Sequence, residues 1–132
     1  MVLDTGVIDV SAMQADAVPG QVFITGELVG VSGEVRASGG GDVLVSSTAR
    51  TVLTASSRID VSGGEASDAG HAVVWSDTAT QFFGTIFGKG GDLGGDGGQA
   101  EVSGHDTLGY SGIVDLSAAK GTVVLIDEIH AL

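Results

Sequence analysis

One short pattern of polar and apolar positions occurs five times along the chain. Each copy is a glycine followed by residues that alternate between polar and apolar, as in Gly20–Ile24, and the others begin at Gly41, Gly70, Gly98 and Gly121. Alternation with a period of two predicts a strand with one buried face. Successive copies begin 21, 29, 28 and 23 residues apart. A repeat of this length, built of short strands, indicates a solenoid.

Two further strand patterns separate the copies. One alternates an apolar residue with a polar one and starts at Ile8, Val35, Ile59, Ile86 and Val114. A weaker one follows each glycine pattern, at Leu28, Val52, Phe82, Leu108 and Ile129. Helical periodicity is absent. We therefore predict an all-β chain: a right-handed parallel β-helix of about five coils with three short strands each. It forms a single domain over residues 1–132, a fragment or relative of a longer solenoid.

Stacking the copies in register predicts which side chains fill the interior. Equivalent positions of parallel coils lie about 4.8 Å apart, so equivalent apolar residues form columns. The three predicted inward columns are Val22/Val43/Ala72/Ala100/Val123, Ile24/Val45/Val74/Val102/Leu125 and Ile8/Val35/Ile59/Ile86/Val114. Aliphatic residues of similar size, many of them β-branched, suit the pleated walls of a narrow core.

The outward positions beside the third column carry charges of alternating sign. Asp9, Arg36 and Asp60 occupy equivalent positions of successive coils, which predicts a charge ladder with the arginine between two aspartates. An exposed ion pair contributes at most about 1 kcal/mol. The ladder therefore acts mainly on register, because a slip by one residue would bring like charges together.

The outward positions of the glycine pattern are mostly apolar, which a solenoid core does not require. We call this set the apolar stripe; its members are Phe23, Leu44, Val73, Trp75, Val124 and Ile126. Such a surface is either covered by a loop or a neighbouring chain, or it binds a partner. The sequence leaves both interpretations open.

Composition excludes several classes of function. The formal net charge is −12 with only five Lys and Arg residues, so neither nucleic acid nor an anionic lipid surface is an expected partner. No run of apolar residues is long enough to insert into a membrane. The first residues lack the pattern of a signal peptide, so we expect any export signal to lie outside this chain. Cysteine is absent, so stability must come from backbone ladders and not from disulfides.

Candidate chemistry is sparse. The glycine- and aspartate-rich run from Gly90 to Gly98 occurs once and lacks the tandem spacing of calcium-binding β-rolls, which predicts a solvated turn. The three histidines fall in different coils and do not converge as metal ligands must. Asp60 with Arg36 and Arg58 is the nearest approach to a polysaccharide-cleaving site, and an ion-pair ladder explains the same residues. We predict no catalytic residue, no metal, no cofactor and no enzyme activity.

Taken together, several segments resemble a recurrent block of the filamentous-haemagglutinin-like exoproteins of bacterial two-partner secretion. The resemblance covers Val22 to Asp127 and is carried by Gly70–Asp77, Phe82–Ile86, Lys89–Gly98, Glu101–Gly104, Val114–Ala118 and Gly121–Leu125. It implies a right-handed parallel β-helix in a long secreted or cell-surface shaft. It transfers no functional residue. The sequence departs from the family in lacking the N-terminal secretion domain, the asparagine ladders and, after Leu125, the usual Asp-Pro turn.

Three functions follow as expectations. The first is a structural or adhesive segment of a bacterial exoprotein, secreted or at the cell surface, that presents an outer face to a host or cell-surface protein or glycan. The second is a self-assembling subunit that polymerises end to end with other solenoid chains, because open solenoid ends present unpaired strand edges. The third alternative, a polysaccharide-active β-helix enzyme, is disfavoured because the sequence predicts no catalytic residue.

Overall fold

The computed structural model describes residues 1–12, 18–118 and, for the backbone, 125–130, and every element in these ranges is a strand. Strands of equivalent position in successive repeats pair in parallel, so the chain is a β-solenoid of about four turns. In chain order the strands are β1 (Val2–Asp4), β2 (Val7–Asp9), β3 (Gln21–Val31), β4 (Glu34–Arg36), β5 (Asp42–Leu53), β6 (Arg58–Asp60), β7 (His71–Ser76), β8 (Ala79–Phe82), β9 (Thr85–Phe87), β10 (Gln99–Gly104), β11 (Thr107–Tyr110), β12 (Ile113–Asp115) and β13 (Leu125–His130).

The strands are of three kinds. The glycine strands are the first halves of β3 and β5 together with β7, β10 and β13, and they pair in that order. The following strands are β1, the second halves of β3 and β5, β8 and β11. The charged strands β2, β4, β6, β9 and β12 form a separate five-stranded sheet. Each full coil therefore contributes one strand of each kind.

The predicted inward columns are confirmed over most of their length. The register pairs Val22, Val43, Ala72 and Ala100 in one column. The second column, from Ile24 to Val102, and the third, from Ile8 to Val114, also pair as predicted. The central members of these columns, such as Val45 and Ile59, are fully buried. The alternation of the sequence thus becomes a continuous aliphatic core.

The last coil corrects the sequence prediction. Ala100 pairs with Ile126 and Val102 with Ile129, whereas the sequence predicted Val123 and Leu125 at these places. The pairing is displaced by three residues from the prediction at Ala100, and a register shift between Ala100 and Glu101 adds one more at Val102. The turn count is also lower than predicted. The outermost described coils are incomplete, so the five strands of each kind form about four turns. Strand β1 was not predicted.

The recurring glycine has a steric cause. Gly41, Gly70 and Gly98 stand at equivalent corners, immediately before the glycine strands. A Cβ at Gly70 would overlap the carbonyl oxygen of Gly41, and a Cβ at Gly98 would overlap that of Gly70. Successive backbones approach too closely at this corner for any side chain. The spacing of these glycines therefore marks the start of each coil.

Two long turns at the same corner absorb the variation in repeat length. One joins β6 to β7 and the other joins β9 to β10. They stack on each other: the Asp96 N–H donates to a carboxylate oxygen of Asp68 (2.8 Å), and the Leu93 N–H donates to the Glu65 carbonyl (2.6 Å). The predicted solvated turn is thus paired with the turn of the preceding coil. Positive φ angles occur at Gly39 and Gly40 in the shorter turn between β4 and β5, and at Gly94 in the turn between β9 and β10.

Buried hydroxyl groups line the corner between the glycine strands and the following strands. The Ser47 hydroxyl donates to Ser76 Oγ (2.9 Å), and Thr51 Oγ1 lies 2.7 Å from Ser47 Oγ. Ser76 Oγ also accepts the N–H groups of Thr78 and Ala79 (3.1 and 3.2 Å). A buried polar group without a partner is costly, so this network satisfies both the side chains and the turn.

Candidate functional site

The apolar stripe lies on the outer surface of the sheet formed by the glycine strands, which we call the glycine face. The register aligns Phe23, Leu44 and Val73 as one row across three neighbouring strands. Phe23 is 64% exposed, and Leu44, Val73 and Trp75 are each partly exposed. Trp75 stands two residues beyond Val73 on the same strand, so it shares the outward side of the sheet. The described members of the stripe therefore form one continuous apolar surface.

Two predicted members fall elsewhere. Val124 lies outside the described residues. Ile126 pairs with Ala100, which occupies an inward column, so its register position is not that of the outward row. The row continues instead from Val73 to Glu101, and Glu101 pairs with Glu128. The stripe thus gives way to acidic positions at its C-terminal end.

Polar groups border the stripe on the side where the glycine strands begin, next to the corner glycines. Asp42 joins two neighbouring coils: one carboxylate oxygen accepts from Gln21 Nε2 (3.2 Å), and the other lies 3.0 Å from His71 Nδ1. Gln21, Asp42 and His71 are in register with Gln99, so the polar row crosses β3, β5, β7 and β10. This border is hydrophilic and carries no lysine or arginine.

Carboxylates also lie beyond Trp75, on the other side of the stripe, and at the C-terminal end of its row. The indole N–H of Trp75 donates to an Asp77 carboxylate oxygen (2.9 Å), which fixes the ring across the surface. A Glu101 carboxylate oxygen accepts the Ser103 hydroxyl (2.6 Å). Neither of these carboxylates has a Lys or Arg partner within ion-pair distance among the described residues. The surroundings of the stripe are therefore acidic.

The charged strands present a different outer surface, which we call the charged face. The register places Arg36 between Asp9 and Asp60, as the sequence indicates. The ion pairs are distributed differently: Arg36 contacts Asp9 (3.9 Å) and Glu34 (3.0 Å), whereas Asp60 contacts Arg58 (3.7 Å). Arg58 also reaches Glu34 (3.7 Å). Arg58 thus belongs to the ladder, as the sequence analysis indicates, and Glu34 is a member that the sequence prediction missed.

An aromatic ring continues this ladder where the sequence offers no charge. Phe87 follows Asp60 in the outward column, with the Arg58 guanidinium 4.4 Å and the Lys89 ammonium 5.1 Å from its ring centre. Lys89 also lies 3.7 Å from Asp115 in the next coil. A cation near an aromatic face is attracted by the ring quadrupole. Alternating charges and one ring therefore connect all five charged strands.

Two of the aspartates on the charged face have lowered pKa values. The Ser117 hydroxyl (2.7 Å) and its backbone N–H (3.1 Å) both donate to Asp115, and with nearby Lys89 they hold the pKa of Asp115 below its ordinary value. Hydrogen bonds from the hydroxyl and N–H of Ser11 lower the pKa of Asp9 in the same way, with a smaller contribution from Arg36. These carboxylates stay ionised, which suits an ion-pair ladder and does not favour a general acid.

The described residues offer little else of chemical note. No group of three His, Asp or Glu residues within 1–12 and 18–118 is arranged to hold a metal ion. The predicted nearest approach to a catalytic cluster, Asp60 with Arg36 and Arg58, is part of the ion-pair ladder. In the part of the chain that the structure describes, no helix is long and apolar enough to cross a membrane.

Comparison with protein-family models, with curated proteins and with solved structures gives no match.

Proposed function

We propose that this chain is a structural and adhesive segment of a secreted or cell-surface β-helical exoprotein of the filamentous-haemagglutinin-like kind. The observation that carries the proposal is the apolar stripe, which a regular solenoid leaves on its outer surface although the core does not need it. The motif resemblance from Val22 to Asp127 supports the family. In this role the stacked coils supply length and rigidity, and the glycine face makes contact with a host or cell-surface protein or glycan.

Bead adhesion with the full chain tests this function. Beads coated with the chain should be retained on a layer of cells under flow better than beads coated with an inert protein of similar charge. In parallel, antibodies against the chain should label intact cells that produce it, because a shaft segment is displayed outside the cell. Equal retention of the two kinds of bead, with no labelling of intact cells, would contradict the proposal.

A second candidate function is end-to-end assembly, and the open strand edges favour it. Among the described residues, β1, β2 and the first half of β3 have a partner on one side only, and so do β11, β12 and β13 at the other end. Unpaired edges of this kind tend to add another chain. A head-to-tail stack would place Asp9 of one copy beside Asp115 of the next, since both occupy the same column.

Sedimentation velocity over a range of concentrations separates the two candidates. If the chain is an assembling subunit, its sedimentation coefficient should rise with concentration, and more steeply at high salt because salt screens the repulsion between Asp9 and Asp115. A strictly monomeric chain at every concentration and salt level would exclude end-to-end assembly.

A further inference from the structure

We propose that the apolar stripe binds a polypeptide segment in which apolar residues are flanked by lysine or arginine. This inference rests on the proposed function and names the partner of the same face. Three observations support it: the stripe offers apolar surface, its border offers negative charge, and the carboxylates of the charged face are already paired with arginine or lysine.

The apolar surface extends across three neighbouring strands. Phe23 leaves 64% of its surface exposed, and the Leu44 and Val73 side chains continue the row across the two following strands. Trp75 adds an indole whose N–H is already bonded to Asp77. Covering such side chains removes apolar area from water, and aromatic side chains in the centre of an interface contribute most of its binding energy.

The charge around this surface selects the partner. Asp42, Asp77 and Glu101 surround the stripe, and no outward position of β7 or β10, or of the first halves of β3 and β5, is lysine or arginine. An apolar partner with an acidic rim would be repelled, whereas basic flanking residues would meet carboxylates. The overall charge of −12 would also speed the approach of a cationic segment.

The charged face is a poorer site for the same segment. Its aspartates and Glu34 lie within 4 Å of Arg36, Arg58 or Lys89. A cationic partner would have to displace one of these residues to reach a carboxylate there. On the glycine face the carboxylates contact only neutral groups or His71. The contrast directs a cationic apolar segment to the stripe.

Trp75 provides a local signal for binding, because it is the only tryptophan of the chain. The experiment titrates the full chain with three soluble synthetic peptides of equal length: one alternating leucine and lysine, one with glutamate in place of each lysine, and one with serine in place of each leucine. We expect the leucine–lysine peptide to shift the Trp75 emission to shorter wavelength, since it removes water from the indole. Its affinity should fall as salt rises. The other two peptides should bind at least about tenfold more weakly.

Two variants locate the site. Phe23→Ser should weaken the leucine–lysine peptide by about tenfold or more, because it removes the most exposed ring of the stripe. Ile113→Ser is the matched control, since Ile113 is also 64% exposed but lies on the charged strand β12. That variant should leave the affinity and the emission shift unchanged.

Several outcomes would overturn the inference. Equal binding of the serine–lysine peptide would show non-specific attraction to an acidic protein. A blue shift of Trp75 emission with protein concentration alone would show that a second copy covers the stripe. A shift produced by a neutral polysaccharide and by none of the peptides would assign the face to a glycan. Bead adhesion that persists in any of these cases would leave the proposed function standing, so the two failures are distinguishable.

Discussion

The glycine face and the charged face are built on the same repeat, and they differ only in what the repeat places outward. Beneath both, equivalent aliphatic residues stack in register, as Val43 on Ala72 and Ile59 on Ile86. Outside, the charged face pairs its charges across neighbouring coils, whereas the glycine face leaves Phe23 exposed near carboxylates that have no lysine or arginine partner among the described residues. The charged side chains of the charged face find partners within the chain, whereas the apolar side chains of the glycine face remain partly exposed.

An outward position in a solenoid can therefore contribute either to the stability of the fold or to contact with a partner. A charge ladder fixes register, because a slip would bring like charges together. A partly exposed apolar row adds little to folding, since its side chains stay in contact with water. Substitutions beneath and on the two faces should therefore have effects of very different size.

The largest effect is expected in the core that both faces share. Phe82 is fully buried and its ring centre lies 5.2 Å from that of Tyr110, so Phe82→Ala should lower the free energy of unfolding by about 3–5 kcal/mol. The neighbouring Phe83 is 39% exposed and provides a matched control, for which we expect a loss of about 1 kcal/mol or less. Urea denaturation of both variants measures the difference. Equal losses would contradict the assignment of Phe82 to the interior.

A smaller effect is expected at the hydroxyl corner beneath the glycine face. Ser76→Ala removes an oxygen that accepts from Ser47 and from two backbone N–H groups, so it should cost about 1–3 kcal/mol. Ser46→Ala, one residue from the buried Ser47 and on the outer surface, should change stability by less than about 0.5 kcal/mol. The same denaturation assay compares them. If both variants are neutral, the corner network does not stabilise the coils.

Substitutions on the two faces should differ only modestly in their effect on the free energy of unfolding. Glu34 contacts both Arg36 and Arg58, so Glu34→Gln should cost up to about 1 kcal/mol at low salt and less at high salt. Phe23→Ser should change stability by no more than about 0.5 kcal/mol, because the ring is largely exposed. Denaturation at two salt concentrations provides the test. A larger loss for Phe23→Ser would mean that the stripe is part of the fold.

The smallest effect concerns titration on the charged face. The folded-state pKa of Asp115 lies below the ordinary value of 3.8, so its contribution to stability is present at neutral pH and is lost as the pH falls below that value. Ser117→Ala removes the hydroxyl donor and should raise the pKa of Asp115 toward its ordinary value. Carboxyl NMR titration measures this, with Asp9 and its own Ser11 as the internal reference. An unchanged pKa of Asp115 would exclude the hydroxyl as a cause.

Much of the fold could be predicted from the alternation of residues, because each inward position is aliphatic in four successive coils. The last coil could not. From Val123 to Ile129 most residues are apolar, so several registers place apolar side chains inward and the pattern does not distinguish them. Strand β1 was missed for a related reason: Val2–Asp4 is too short to show a period. Both errors fall where the repeat has few neighbours to define it.

The candidate site was predicted in part. Periodicity alone placed Phe23, Leu44 and Val73 in one outward row, and the charges placed Arg36 beside Asp9. The sequence prediction did not include Glu34, although Glu34 and Arg36 stand two residues apart on β4 and therefore share its outward side. The buried hydroxyls were missed because serine and threonine at a corner look like solvated turn residues until the coils are closed around them.

Cysteine cross-linking tests the central claim most directly, namely that the coils stack in the register that aligns the outward row. The chain has no cysteine, so the two introduced thiols are the only ones present, and a low protein concentration favours a disulfide within one molecule. Leu44 and Val73 are in register on adjacent strands, about 4.8 Å apart, which a disulfide can span. Leu44→Cys with Val73→Cys should therefore form a disulfide under mild oxidation. Leu44→Cys with Trp75→Cys, displaced by two residues and about 8 Å apart, should not. Preferential oxidation of the displaced pair would contradict the register and, with it, the two faces.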